Sequence, residues 1–65
     1  MKYRIREIRE SKGIPVYSLA EKAGITRATL WRIECEGQDA KASTLQRIAD
    51  VLGVGIEDLF LRDEG

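Results

Sequence analysis

Histidine is absent from this 65-residue chain, and cysteine, proline, methionine, phenylalanine and tryptophan occur once each. With one thiol, Cys35, no intrachain disulfide can form, and without histidine a zinc site of the usual kind is out of reach. A lone thiol of this sort reads as inert rather than as a redox sensor. No apolar run approaches the length that crosses a bilayer, and the charged start "MKYRIREIRESK" is no signal peptide. There is no Gly-rich phosphate loop and no carboxylate pair in an evident cleft, so no catalytic constellation can be named. Cofactors, metals and small-molecule ligands are therefore not expected. The expected location is the cytoplasm.

What is present is the composition of a globular domain, 43% apolar and 34% charged. A chain this short buries only about 60% of the surface it exposes when unfolded. Its stability must come from helix packing, self-association or both. The formal net charge is zero, but the charge is unevenly spread. Residues 1–32 carry eight basic side chains against three acidic ones, a balance of +5. Residues 33–65 carry three basic and eight acidic, a balance of −5. Such a split points to an anionic partner for one face.

Strand signals are weak, and helical spacing recurs. Met1, Ile5 and Ile8 share a stripe that Gly13 ends. Val16, Leu19, Ala20 and Ala23 form a second, closed by Gly24, and Thr26 can cap the helix that follows. Leu45, Ile48, Ala49 and Leu52 form a fourth stripe before Gly53, and "IEDLF" reads as a last short helix with Ile56, Leu59 and Phe60 together. The expectation is an all-α, compact five-helix bundle, one domain over residues 1–65, with Phe60 closing its core.

The stretch "LAEKAGITRATLWRIE" is the most informative. At about 100° per residue, Leu30 and Ile33 face the core while Arg27, Ala28, Trp31 and Arg32 share the opposite side. Only "GIT" separates this helix from the one before it. Gly24 can take the left-handed conformation, Ala20 is small where the two axes approach, and Ile25 plugs the corner. So tight a turn sets two helices at a steep angle and lets the second protrude, as in a helix-turn-helix.

These residues, with "IREIRESKGI" before them and "TLQRIADVLGVGIEDLF" after, resemble the phage repressor and Cro-like (XRE) family of helix-turn-helix proteins over nearly the whole chain. The resemblance implies a repressor-like bundle that binds double-stranded DNA as a homodimer and regulates transcription. By position it assigns base-edge reading to Arg27, Ala28 and Arg32, with Thr29 and Trp31 nearby. The fork of arginine suits guanine O6 and N7. Thr26 would cap the helix or touch a phosphate, and Lys41 is the basic residue of the following loop. Family members often pair an arginine of the first helix with a glutamate ending the third, here Arg9 and Glu34.

The chain departs from the family at two places. A phosphate-binding glutamine is common at the start of the second helix, where this chain has Val16 after Pro15. The hydroxyl of Tyr17 is the available substitute. The loop after the third helix is often basic, but here it holds Glu36 and Asp39. For Trp31 two readings stand side by side: contact with a sugar or a thymine methyl, or cover for the bundle's outer surface. The expected dimer contact is in the acidic half, at Val51, Leu61 and the fifth helix. The rival to a DNA-binding regulator is an antitoxin-like or adaptor module that uses the same fold to bind protein.

Overall fold

Residues 3–61 are described here, from a computed structural model. The helices lie where apolar spacing and chain breakers put them: α1 Ile5–Ser11, α2 Val16–Ala23, α3 Arg27–Cys35 and α4 Ala42–Leu52. Pro15 precedes α2 with φ −67°, a value its ring sets in advance. Gly24 ends α2 at φ +74°, where a side chain would be strained. Its N–H and that of Ile25 both donate back to carbonyls of α2: Gly24 to Glu21 O at 3.1 Å and Ile25 to Ala20 O at 2.9 Å. Two of the last four carbonyls of α2, those of Ala20 and Glu21, are thereby satisfied within the turn itself.

The core joins Ile5 and Ile8 of α1, Leu19, Ala20 and Ala23 of α2, Leu30 and Ile33 of α3, and Leu45, Ile48, Ala49 and Leu52 of α4. The most extensive helix pairing is α2 on α4, with the small residues Ala20, Ala23 and Ala49 buried among larger ones. Met1, expected on the first stripe, lies outside the described residues.

The end of the chain differs from the expected fifth α-helix. Residues Ile56–Leu59 form a single 3₁₀ turn, so the described fold has four α-helices and this turn. With three residues per turn, Ile56 and Leu59 eclipse each other, and Phe60 is rotated off their line by about 120°. Leu59 is accordingly buried and Phe60 is 40% exposed. Phe60 therefore does not close the core as expected. Its ring packs on Tyr3 at a centroid distance of 5.5 Å, and the two residues form an isolated antiparallel bridge. Tyr3 is the aromatic that enters the core. Its hydroxyl accepts a long hydrogen bond, 3.4 Å, from the N–H of Ala40 in the α3–α4 loop.

Candidate nucleic-acid interface

The turn at Gly24 hands the chain to Thr26, whose φ −79° and ψ 159° lie outside the helix. Its Oγ1 accepts from the N–H of Thr29 at 3.0 Å and donates to Thr29 Oγ1 at 2.9 Å. Thr26 is thus the N-cap of α3 and supplies a partner to one of the free N–H groups of its first turn. The turn is held from above as well. A Cβ built on Gly24 would lie 3.3 Å from Nη1 of Arg47 on α4. The guanidinium therefore packs against the glycine at the carbonyl end of α2, where the helix dipole favours a cation. Sequence reasoning did not single out Arg47, since no local pattern reveals which residue of α4 overlies a distant turn.

On α3 the two sides separate cleanly. Leu30 and Ile33 are buried, and Arg27, Ala28, Trp31 and Arg32 are all exposed. Among the described residues neither Arg27 nor Arg32 has an ion-pair or hydrogen-bond partner for its side chain. Thr29 belongs elsewhere: it lines a shallow cavity of about 290 Å³ with Ile25, Ile33, Gln38, Lys41 and Thr44 between α3 and the start of α4. Thr29 and Lys41 are thus brought together, on the flank of α3 rather than on its outward face. Tyr17 is exposed on the first turn of α2. Arg9 Nε and Nη2 clamp the two carboxylate oxygens of Glu34 at 2.9 and 3.2 Å. Its Nη1 donates to Ile14 O at 3.0 Å. This fork joins α1, the α1–α2 connection and the end of α3, which fixes where α3 leaves the bundle.

The basic excess of the first half is redistributed by pairing. Arg4 meets Glu7 at 3.1 Å, and Arg6 meets Glu10 at 3.2 Å. The hydrogen bond and charge of Glu10 raise the already high pKa of Arg6. With Arg9 on Glu34 as well, the arginines of α1 are locally neutralised. Lys22, Arg27 and Arg32 are the cations of α2 and α3, and none has an ion-pair partner among the described residues. The i,i+3 and i,i+4 spacing of "RIREIRE" carried that signal. Glu36 at the C-cap of α3 is exposed and brings an acid close to Arg32. Among the described residues, no group of His, Cys, Asp and Glu side chains is arranged to hold a metal ion.

A capped helix with an exposed outer face, a glycine turn and a helix packed behind them define the fold type. Residues 5–59 match the helix-turn-helix family. The chain belongs to that family. It is 38% identical over 65 residues to an uncharacterized HTH-type transcriptional regulator of Methanothermobacter thermautotrophicus, covering 98% of this chain and 94% of the relative. Among solved structures it is similar to SinR, a master regulator for biofilm formation, in complex with DNA. That likeness has 34% identity and a TM-score of 0.77 over 83% of this chain and 87% of the other. The SinR N-terminal DNA-binding domain is that of Bacillus subtilis. A second likeness is to C.AhdI, a restriction-modification controller protein from Aeromonas hydrophila. It has 26% identity and a TM-score of 0.82 over 88% of this chain and 86% of the other.

Proposed function

We propose that this protein is a sequence-specific regulator of transcription that lays α3 in the major groove of duplex DNA and acts chiefly by occupying its site, as a repressor. The observation that carries this reading is the outward face of α3. Two arginines stand there without protein partners, on either side of Ala28 and Trp31. In this reading Arg27 and Arg32 contact guanines, and the small side chain of Ala28 lets the helix enter deeply. In the same reading Thr26, Lys22, Tyr17 and Lys41 meet phosphate or its surroundings. Thr29 supports the cap and the cavity wall. Residues 1–65 act as one DNA-binding unit, at work in the cytoplasm. No helix among the described residues is long and apolar enough to cross a membrane.

A homodimer is part of the same reading. The nine residues of α3 extend only about 13–14 Å, so one copy reads few base pairs. Two copies on half-sites about one helical turn apart read enough to be selective. The contact proposed between copies involves the acidic half of the chain, where Leu61 and Phe60 are exposed and Val51 is half-buried.

The rival, a protein-binding module on the same fold, draws on Val16 and Glu36. Val16 has no side-chain donor for phosphate, and Glu36 brings negative charge to the end of α3. Selection of bound fragments from random duplex DNA separates the two. Enrichment of a two-fold symmetric sequence is expected, and failure to enrich any sequence overturns the DNA reading in favour of the module.

A further inference from the structure

The centre of the outward face of α3 is an aromatic ring that the bundle does not need. Trp31 is the chain's only tryptophan, and 51% of it is open to solvent. It takes no part in a ring pair, and its indole N–H has no hydrogen-bond partner among the described residues. A tryptophan this open contributes little to covering the core. Helical side chains lean toward the N-terminus of their helix, over the preceding turn. That tendency directs the indole toward the turn that holds Arg27 and Ala28, and Ala28 offers only a methyl group there.

The surroundings decide what fits. An apolar ring set between two unpaired cations suits a partner with an anionic rim and an apolar spot inside it. Phosphates supply the rim of the major groove, and the C5 methyl of thymine is the apolar group among its base edges. Four residues of helix advance about 6 Å, and one base step about 3.4 Å. A group read by Trp31 thus lies within about one or two steps of the base read by Arg27.

We propose that Trp31 is a specificity-determining residue that reads the C5 methyl of a thymine within about two base pairs of the guanine contacted by Arg27. This rests on the DNA reading above. It goes beyond arginine–guanine recognition, because it makes a pyrimidine methyl part of the recognised pattern. Trp31 discriminates thymine from uracil or cytosine by contact area alone, since its one polar group is a donor and the methyl accepts nothing.

The test is a deoxyuridine scan on a fragment enriched from random duplex DNA, using the full chain. Replacing thymine by deoxyuridine removes the methyl and leaves the Watson–Crick pairing unchanged. The wild-type protein should lose about fourfold in affinity at one thymine per half-site, the effect of one buried methyl. Trp31→Ala should bind the thymine fragment more weakly and no longer distinguish thymine from uracil at that position. Trp31→Phe should keep part of the preference. Because Trp31 is exposed, the melting temperature of both variants should match the wild type, which separates a lost contact from a lost fold. The assignment is overturned if Trp31→Ala retains the wild-type preference for thymine, or if the wild type is indifferent to every substitution. Equal affinity of the wild type and Trp31→Ala on all fragments also overturns it, and would mark Trp31 as a protein-docking residue. If no sequence is enriched in the first place, the DNA reading falls, and this assignment falls with it.

Discussion

At the scale of single residues, burial separates the charges that organise the fold from those available to a partner. Glu34 is 3% exposed and Arg9 12% at the side chain, so each ion depends on the other for the solvation that folding removes. Glu34→Ala, or Arg9→Ala, should cost about 3–5 kcal/mol in urea unfolding, because the remaining charge is stranded. An apolar replacement of both should recover much of that loss. Were the single variants to cost less than about 1 kcal/mol, the pair would be behaving like an exposed one. Arg4–Glu7 and Arg6–Glu10 are surface pairs, and breaking either should change stability by no more than about 1 kcal/mol. Gly24 gives a second prediction at this scale. Alanine at φ +74° carries a backbone penalty of about 1–2 kcal/mol. It would also crowd Arg47, whose Nη1 is 3.3 Å from the new Cβ. Gly53 has the same φ and nothing within 4 Å of its added Cβ. Gly24→Ala should therefore be the more destabilising of the two in thermal unfolding. Pairing it with Arg47→Ala should bring its cost down to that of Gly53→Ala; no relief from the second change would mean that Arg47 swings aside freely.

At the scale of elements, α3 carries the binding prediction. Arg27→Ala or Arg32→Ala should cost about 1–3 kcal/mol on the selected site and much less on random DNA, with preference lost at one base pair per half-site. Lys22→Ala should weaken all sequences alike and reduce the salt slope by about one. Glu36→Gln tests the opposite sign. One residue beyond a helix about as long as the groove is wide, this carboxylate comes close to the phosphates. Its neutralisation should strengthen binding to selected and random DNA together, so that the ratio between them stays constant or falls. Equal losses for both arginines on selected and random DNA would reduce α3 to an electrostatic handle. The limits of sequence reading are clearest among the elements. The four α-helices were legible because Leu19, Ala20 and Ala23, or Leu45, Ile48, Ala49 and Leu52, repeat at helical spacing and end at glycines that stop them. The segment Ile56–Leu59 was misread because four apolar and acidic residues fit an α-turn and a 3₁₀ turn equally well. Phe60 went with it, since the backbone bridge that pairs it with Tyr3 joins residues far apart in the sequence. The outward side of α3 was legible from its angular spacing. The position of Thr29 beside Lys41 and the packing of Arg47 on Gly24 depend on how α4 crosses the unit, which no local spacing encodes.

At the scale of the whole molecule, the uneven charge becomes a constraint on assembly. Arg4, Arg6 and Arg9 are paired with acids, whereas Lys22, Arg27 and Arg32 on α2 and α3, like Lys12, Lys41 and Arg47, have no ion-pair partner among the described residues. Glu57 and Asp50 stand exposed in the second half of the chain. Two copies can therefore present both α3 helices to one duplex only if they meet away from the basic face. The bridge between Tyr3 and Phe60 gives the far end a fixed backbone, and Leu61, 47% exposed, follows immediately. Leu61 lies outside the buried core cluster, and in the proposed dimer its exposed part would add apolar area to the contact between copies. Leu61→Glu should accordingly leave the melting curve of the monomer almost unchanged. In the dimer it would set two carboxylates into an apolar contact, so sedimentation on DNA should show one copy where the wild type shows two. Footprinting should shrink to one half-site, and binding to an isolated half-site should be unaffected. If the variant still protects both half-sites with wild-type affinity, the contact lies elsewhere, and Val51, half-buried on α4, is the next position to charge. If the wild type itself binds as a monomer to one half-site, selectivity must come from α3 alone. The thymine contact assigned to Trp31 would then carry a larger share of it.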